Sequence, residues 1–600
     1  MFKPKEERLN YGQLLMPREG FTLVKAVGTT YSLDLETLMS VCIAMGIQES
    51  TDSSLTCNPY ALLKSIQGLS DKLLIFCEAG QIKSMPIDQS PLMLLLDKMI
   101  VPVKLRKQKG KGYPSFHPKT WTLHYADAEG NQYFRFIVLS RNLTFDRSWD
   151  VAVSIDGKRT NSLNRASYPI IDFIQYLKDN TLEGVTLKTE KRRILNAYIQ
   201  ELPYVQFSLD DKHFKDFEII PVGIGTKTID NDPLMMDSFH DLLIVSPFLS
   251  SGVIQSFDKR RMLKNTRRHL ITRTAELHKI AGQLDTFKVY VMKDAVTEGE
   301  ELVSDEESTK VQQQDIHVKL YLMSKNSNSS LYLGSMNASE NGLHRNVEMM
   351  VKLTAFRYYL NLDKIEADLF GPDDKGNPFE VVDLSNYDGI APDESEKDNL
   401  VLIIKDICRL NAKAVIKPMD DKYDVFITIP TPKGGLPTAE IAPAKTARTQ
   451  RLAEKMVFEG LNALELTELY RVNVKGETES ITRMILIPTE MPSERDDMVV
   501  KSILKDKKAF IDYLAFILGD DYVLSAMEMK ASLGADKDND QNSSDISMPS
   551  IYEKMLKTAY TEPERLKEIR RVMDRISDSD IIPDEFVKLY EIFAKTLKLK

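Results

Sequence analysis

The chain has 600 residues, 88 acidic against 79 basic, and its formal net charge of -9 discourages indiscriminate binding of nucleic acid by the whole surface. Its four cysteines, Cys42, Cys57, Cys77 and Cys408, form no Cys-x-x-Cys pair, and with no His-Glu-x-x-His the spacing of a zinc site is absent. Met1 to Pro17 holds no apolar signal core, and the most hydrophobic stretch, Pro91 to Val103, is broken by Asp97 and Lys98, so no membrane span and a reducing, cytoplasmic setting are expected.

In chain order, residues 101 to 120 come first, with Lys104, Arg106, Lys107, Lys109, Lys111 and Lys119 and no acid. Such a basic rim suits a phosphate backbone, and Tyr113, Phe116 and Trp121 lie close enough in sequence to stack on bases, although both tryptophans, Trp121 and Trp149, also suit a core. Phe116 to Leu123 reads as a strand carrying His117 and Lys119, and side chains two apart in a strand share a face. A second apolar run, Phe134 to Leu139, ends in Ser140-Arg-Asn142. Ser167 to Gln200 reads as a helical bridge, and Leu242 to Leu249 as a strand ending in a Ser-Pro-aromatic turn. A second basic run holds Lys259, Arg260, Arg261, Lys264, Arg267 and Arg268 beside a single acid, Asp258. The acidic segment Thr297 to Asp315 is polar enough for a mobile loop, disordered or acting as a lid. Ile316 to Met323 then repeats the strand with His317 and Lys319, and Leu331 to Leu333 leads into Gly334-Ser335-Met-Asn337.

The two sets lie 200 residues apart, and their repetition separates them from coincidence. His213-Phe-Lys215 has the same pattern without a following strand that ends in Ser-x-Asn, so it reads as surface; Ser162-Leu-Asn164 and Ser324-Lys-Asn326 sit in polar loops. If the complete sets converge, one pocket holds two imidazoles, two ammoniums and two amides. A phosphodiester asks for that chemistry, because its oxygens are anionic and its leaving oxygen needs a proton. Ser140 and Ser335 bring a small polar residue to each strand end, where free backbone N–H groups favour an anion.

These residues resemble the phospholipase D superfamily, through FHPKTW with FIVLSRNLT and IHVKLYL with LYLGSMNAS, over roughly residues 20 to 360. The fuller family motif has Asp five residues after Lys, where this chain has His124 and Ser324. That departure is similar to the tyrosyl-DNA phosphodiesterase branch. The resemblance implies His117 as nucleophile and His317 as acid and then base, with the order open to reversal. Lys119, Lys319, Asn142 and Asn337 would hold phosphate oxygens in place of a metal, so no cofactor is implied. Asp150 in SWDVAVSI and Glu348 in NVEMMVKL would orient the imidazoles, unless they are strand-end charges facing water.

Past Asp393, Leu400 to Leu410 and Lys445 to Phe458 read as helices and Tyr423 to Ile429, Leu464 to Val474 and Thr482 to Ile487 as strands. Asp536 to Met548 reads as a flexible connector, and a final helix starts near Pro583 with Phe586, Leu589, Tyr590, Phe593 and Leu597 along one face. The expected fold class is α/β: two phospholipase D-like halves of mixed sheets flanked by helices forming a pseudo-dimer, then a smaller α+β domain and a helical C-terminal segment. The expected boundaries are 1–165, a helical connector 166–237, 238–392, 393–530, a linker 531–548 and helices 549–600.

With no Gly-x-x-x-x-Gly-Lys-Ser/Thr, the chain is not itself an obvious nucleotide-driven motor. The C-terminal segments resemble appendages of bacterial defence-associated phospholipase D-like proteins, which implies a nuclease acting on DNA beside a helicase or another defence-system protein. Two alternatives are a phosphodiesterase acting on lipid and a non-catalytic DNA-binding scaffold. Oligomeric state carries no mark in the sequence.

Overall fold

A computed structural model describes residues 11–46, 58–105, 114–145, 148–181, 189–225, 227–260, 263, 266–284, 286–293, 315–371, 377–387, 396–518, 548–561, 563–576 and 580–597. The chain is α/β, with several mixed sheets and many helices. Its first large sheet has seven strands in the order Ile100–Val103, Leu73–Glu78, Phe21–Thr30, Thr120–Asp127, Gln132–Leu139, Ala152–Arg159 and Val205–Ser208. The second has eight: Phe214–Val222, Glu348–Phe356, Asn328–Gly334, Leu320–Lys325, Asp241–Val245, Arg267–Thr272, Phe287–Met292 and Phe379–Val382.

Seven strands of the second sheet repeat the first in order and direction. Phe21–Thr30 is parallel to Leu73–Glu78 and antiparallel to Thr120–Asp127. Asp241–Val245 is likewise parallel to Arg267–Thr272 and antiparallel to Leu320–Lys325. Two interior strands, LLIFCE and DLLIV, are buried along their whole length, as strands covered on both faces must be. Alternation sorts the side chains: Leu74 and Phe76 join Leu320, Leu322, Leu331 and Leu333 in one core between the sheets, while Leu73, Ile75 and Cys77 face the outer helices. The stretch 166–237, expected as a helical connector, holds the helices Tyr168–Asp179 and Thr189–Glu201 and also an edge strand of each sheet.

The later segments close onto the first sheet. Ile82–Lys83 pairs with Ser480–Leu486, so a five-stranded sheet of the 440–486 region borrows a strand from the N-terminal part. The buried guanidinium of Arg495 grips both oxygens of buried Asp97 at 2.5 and 3.2 Å. Removing one partner of such a pair costs about 3–5 kcal/mol. Phe586, Tyr590 and Phe593 of the last helix, Asp584–Thr596, enter the core formed by Leu35, Leu38 and Ile66, so this apolar face is covered by the chain itself.

Two sequence expectations are corrected. Lys445 to Phe458 is not a helix: Gln450–Arg451 and Lys455–Leu461 are strands, and Val457 and Phe458 pair with Phe426 and Val425. Each His-x-Lys stands just ahead of its strand, which starts at Thr120 or Leu320, because the backbone at the histidine bonds to a segment across the site instead. The acidic segment before Asp315 and the connector before Met548 lie outside the described residues.

Candidate active site

Phe21–Thr30 in one sheet and Asp241–Val245 in the other occupy equivalent places, and a hydroxyl at or just after the end of each fixes the Ser-x-Asn turn. Thr30 Oγ1 accepts from the N–H of Leu143 at 2.9 Å and donates to the carbonyl of Ser32 at 2.8 Å. Ser246 Oγ accepts from the N–H of Ala338 at 3.0 Å and donates to the carbonyl of Phe248 at 2.8 Å. The residues so held directly follow Asn142 and Asn337.

Both histidines are anchored by the other sheet's chain. The N–H of His117 donates to the carbonyl of Val347, and that of His317 to the carbonyl of Trp149, each at 3.0 Å. Phe116 bridges Val347, and Ile316 pairs with Trp149. Val347 and Trp149 precede Glu348 and Asp150, and for His117 this backbone pairing brings the ring to the acid of the opposite sheet. Nδ1 of His117 lies 2.8 Å from Glu348 Oε2. Glu348 is fully buried and also accepts from Ser335 Oγ and from Asn346 Nδ2. A carboxylate held this way accepts a hydrogen bond from Nδ1–H, which favours the tautomer whose Nε2 carries the lone pair. Ser140 repeats the role of Ser335: its Oγ donates to Asp150 Oδ1 at 3.0 Å and accepts the N–H of Val151, as Ser335 Oγ accepts that of Met349. Glu348 is therefore no strand-end charge facing water.

The lysines fold back over their own histidines. Lys119 Nζ donates to the carbonyl of His117 at 2.9 Å, and Lys319 Nζ to the carbonyl of His317 at 2.6 Å and to that of Ser140 at 3.5 Å. Both are almost wholly buried. Burial, followed by the charge of Lys319, pushes the Lys119 ammonium well below its ordinary range. His117 is lowered to about 4 by burial; Glu348 opposes the fall, and Lys119 and Lys319 add to it. Burial lowers His317 to about 3, with Lys319, Arg273, Lys119 and Arg141 adding to the fall. His117 meets Glu348 and Lys319 Nζ reaches the Ser140 carbonyl, so parts of the two sets meet in one region. The Oδ1 atoms of Asn142 and Asn337 are buried without a hydrogen-bond partner. The oxygens lack a donor, and the NH2 group of each amide is the part that can donate to an anion.

His124 and Ser324 sit away from this cluster. Five residues along a strand is about 16 Å, and there His124 stacks on Phe134 at 4.2 Å with Glu201 3.4 Å from its Nδ1, while Ser324 pairs with Ser329. The basic runs divide. Lys104 donates to the carbonyl of Arg409 and to Asn411, and Arg260 donates to the carbonyl of Leu234 and lies 4.6 Å over the Phe257 ring. Lys259 is exposed. Arg267 engages Asp241 and Asp363, and Arg268 is buried. Arg106, Lys107, Lys109, Lys111, Arg261 and Lys264 lie outside the described residues, as does Tyr113. Phe116 and Trp121 are core residues, with Trp121 Nε1 bonded to Tyr11, so neither is open to a base.

Sequence reading missed Thr30, Ser246, Glu78, Arg273 and Lys405. Of these only Ser246 had a local signal, the turn after an apolar strand. Among the described residues no group of three or more His, Cys, Asp and Glu side chains is placed to hold a metal ion, and no helix is long and apolar enough to cross a membrane.

No family model and no curated protein matches the chain. Among solved structures it is similar to the polyphosphate kinase from Porphyromonas gingivalis, with a TM-score of 0.28 and 8% identity over 57% of this chain and 41% of that chain. A likeness that slight extends to neither residues nor activity.

Proposed function

We propose that this protein is a metal-independent phosphodiesterase that cleaves DNA through a covalent phosphohistidine. The observation that carries this reading is the pair of buried lysines, each folded over the carbonyl of its own histidine, with both imidazoles lowered by burial and by those lysines. Such a site is costly while empty and is relieved by an anion that brings its own negative charge.

On this reading Nε2 of His117 attacks phosphorus, the bond from phosphorus to the leaving oxygen breaks, and His317 gives that oxygen its proton. The bound phosphate sets its negative charge against the lysines that depress His317, which raises the ring's affinity for the proton it must donate. Neutral His317 then takes a proton from water, the hydroxide attacks the phosphorus, and the phosphorus–nitrogen bond breaks to regenerate His117. Lys119, Lys319, Asn142 and Asn337 hold the non-bridging oxygens, and Glu348 supports the charge that develops on His117.

DNA as substrate is favoured by the run of Arg106, Lys107, Lys109 and Lys111 immediately before the site. We assign the chain, through the resemblance of its C-terminal segments, as the nuclease subunit of a bacterial anti-phage system that works with a helicase in the cytoplasm. The test is digestion of a 5′-labelled single-stranded oligonucleotide and of plasmid in excess EDTA. Cleavage with an acid-labile covalent protein–DNA species, absent in His117→Ala, is the expected result. Tight DNA retention without cutting would select a scaffold, activity on lipid vesicles alone a lipid enzyme, and undiminished cutting by His117→Ala would remove the mechanism.

A further inference from the structure

The backbone just ahead of His117 rests on a charged pair that neither large sheet completes alone. Glu78, fully buried at the end of Leu73–Glu78, accepts the N–H of Phe116 at 2.8 Å through Oε2. Its Oε1 lies 3.0 Å from Nζ of Lys405, which belongs to the helix Glu396–Cys408 of the later α+β region. Lys405 is also buried, donates to Ser115 Oγ at 3.2 Å and stands 5.5 Å over the Tyr31 ring. The Tyr31 ring in turn meets the His117 imidazole edge to face, with centroids 5.3 Å apart. Ser115 closes the circle, because its N–H donates to Asn346 Oδ1, and Nδ2 of the same amide donates to Glu348.

The helix is seated for this contact. Gly80 has φ +81, and a Cβ there would stand 3.0 Å from Ile404 Cγ2 and 3.3 Å from Cys408 Sγ, so the helix reaches the strand end only over a glycine. Arg409 Nη2 donates to the carbonyl of Leu105, and Lys104 to the carbonyl of Arg409. The Glu78 charge opposes the effect of burial on Lys405, whose ammonium stays above its ordinary range.

We propose that Lys405 is a positioning residue for His117: delivered from outside the two sheets, it neutralises Glu78, holds Ser115 and backs Tyr31, so the nucleophile is set only while the helix Glu396–Cys408 is docked. The inference rests on the phosphodiesterase reading for its kinetic consequence and on geometry alone for its structural one. A buried carboxylate stripped of its counter-charge takes up a proton or draws in water, and either outcome loosens the segment that carries His117.

The test uses the full chain with Lys405→Met and reads two quantities. Against a labelled single-stranded oligonucleotide, kcat should fall at least tenfold with KM within threefold of wild type. Independently, 15N shifts of the histidine rings at neutral pH, with His117 assigned by its loss in His117→Gln, should show His117 leaving its single Nδ1–H tautomer while His317 is unchanged. Where Lys405→Met does not fold, Ser115→Ala strands no charge and should produce the same tautomer change with a smaller fall in kcat. An unaltered His117 signal in a folded variant overturns the proposal. If wild type cuts no diester, the phosphodiesterase reading fails, and the ring spectrum still decides the role of Lys405.

Discussion

The two large sheets solve one problem with opposite charges. Cys77 pairs with Thr30, and Thr272 Oγ1 bonds the carbonyl of Ser246, so the next residues, Glu78 and Arg273, occupy the same place in each sheet. Glu78 takes the N–H of Phe116, before His117; Arg273 donates through Nε and Nη2 to the carbonyl of Ile316, before His317. The buried carboxylate meets Lys405 from another region, whereas the guanidinium lies 4.7 Å over the exposed Phe248 ring. Equivalent strands therefore fix equivalent histidines, while the charges around the rings differ. His117 has Glu348 among the groups that set its protonation, and His317 has Arg273 and Arg141. In the proposed mechanism, the added positive charge around His317 suits a ring that must release its proton readily.

The comparison breaks first at the histidines themselves. His117→Ala and His317→Ala should each lower turnover by about three orders of magnitude or more, as groups acting as one unit do. They should differ in what accumulates: no covalent DNA adduct in His117→Ala, and a persistent one in His317→Ala, where the hydrolytic proton acceptor is missing. Adducts in the opposite pattern would exchange the two roles. Denaturing gels after acid and alkali treatment distinguish them.

A smaller loss is expected at the lysines, with a telling side effect. Lys119→Met should cut kcat by about a hundredfold, the order seen when one donor to a developing anion is removed. The same change should raise Tm, because Lys119 is buried and repelled by Lys319. Lys319→Met should cut kcat as far with less gain in Tm, since Lys319 also bonds the carbonyl of Ser140 across the sheets. Calorimetry of both variants checks the order, and a drop in Tm for Lys119→Met would show that its charge is compensated.

How much of this was legible follows from the range of each interaction. The repeated His-x-Lys and Ser-x-Asn are local patterns of few residue types, and the apolar runs around them mark strands by alternation. Asp150 and Glu348 were visible as acids after the asparagines, yet the crossing of Glu348 to His117 was not, because it depends on pairing 231 residues apart. Glu78 with Lys405 lies further out of reach: an acid ending an apolar strand and a lysine in an amphipathic helix look like surface charges until packing buries both. The misread helix at Lys445 to Phe458 has the same cause. Its Ala, Lys and Glu content favours helix in isolation, and pairing with Tyr423 to Thr428 overrides it.

Acid sensitivity should follow the two rings. Their folded values of about 4 and about 3 lie below the unfolded histidine value of about 6.5. Between these limits the unfolded chain binds more protons than the folded one, so stability rises with pH through that window and is lost as pH falls below about 6.5. Tm measured from pH 4 to 7 should climb less steeply in His117→Gln and in His317→Gln than in wild type. An equally steep climb in both would place the acid-labile groups elsewhere.

The smallest expected effect separates the two basic runs. Arg260 spends its guanidinium on the carbonyl of Leu234 and the face of Phe257, so Arg260→Ala should lower Tm and leave DNA affinity near wild type. Lys107, Lys109 and Lys111 precede the site in a stretch without acids. Replacing all three with Ala should weaken DNA binding severalfold and flatten the slope of log affinity against log salt by up to about 0.9 for each phosphate no longer neutralised. Fluorescence anisotropy from low to physiological salt measures both slopes. An unchanged slope in the triple lysine variant would remove the first run from the DNA path, and a flattened one in Arg260→Ala would bring the second run into it.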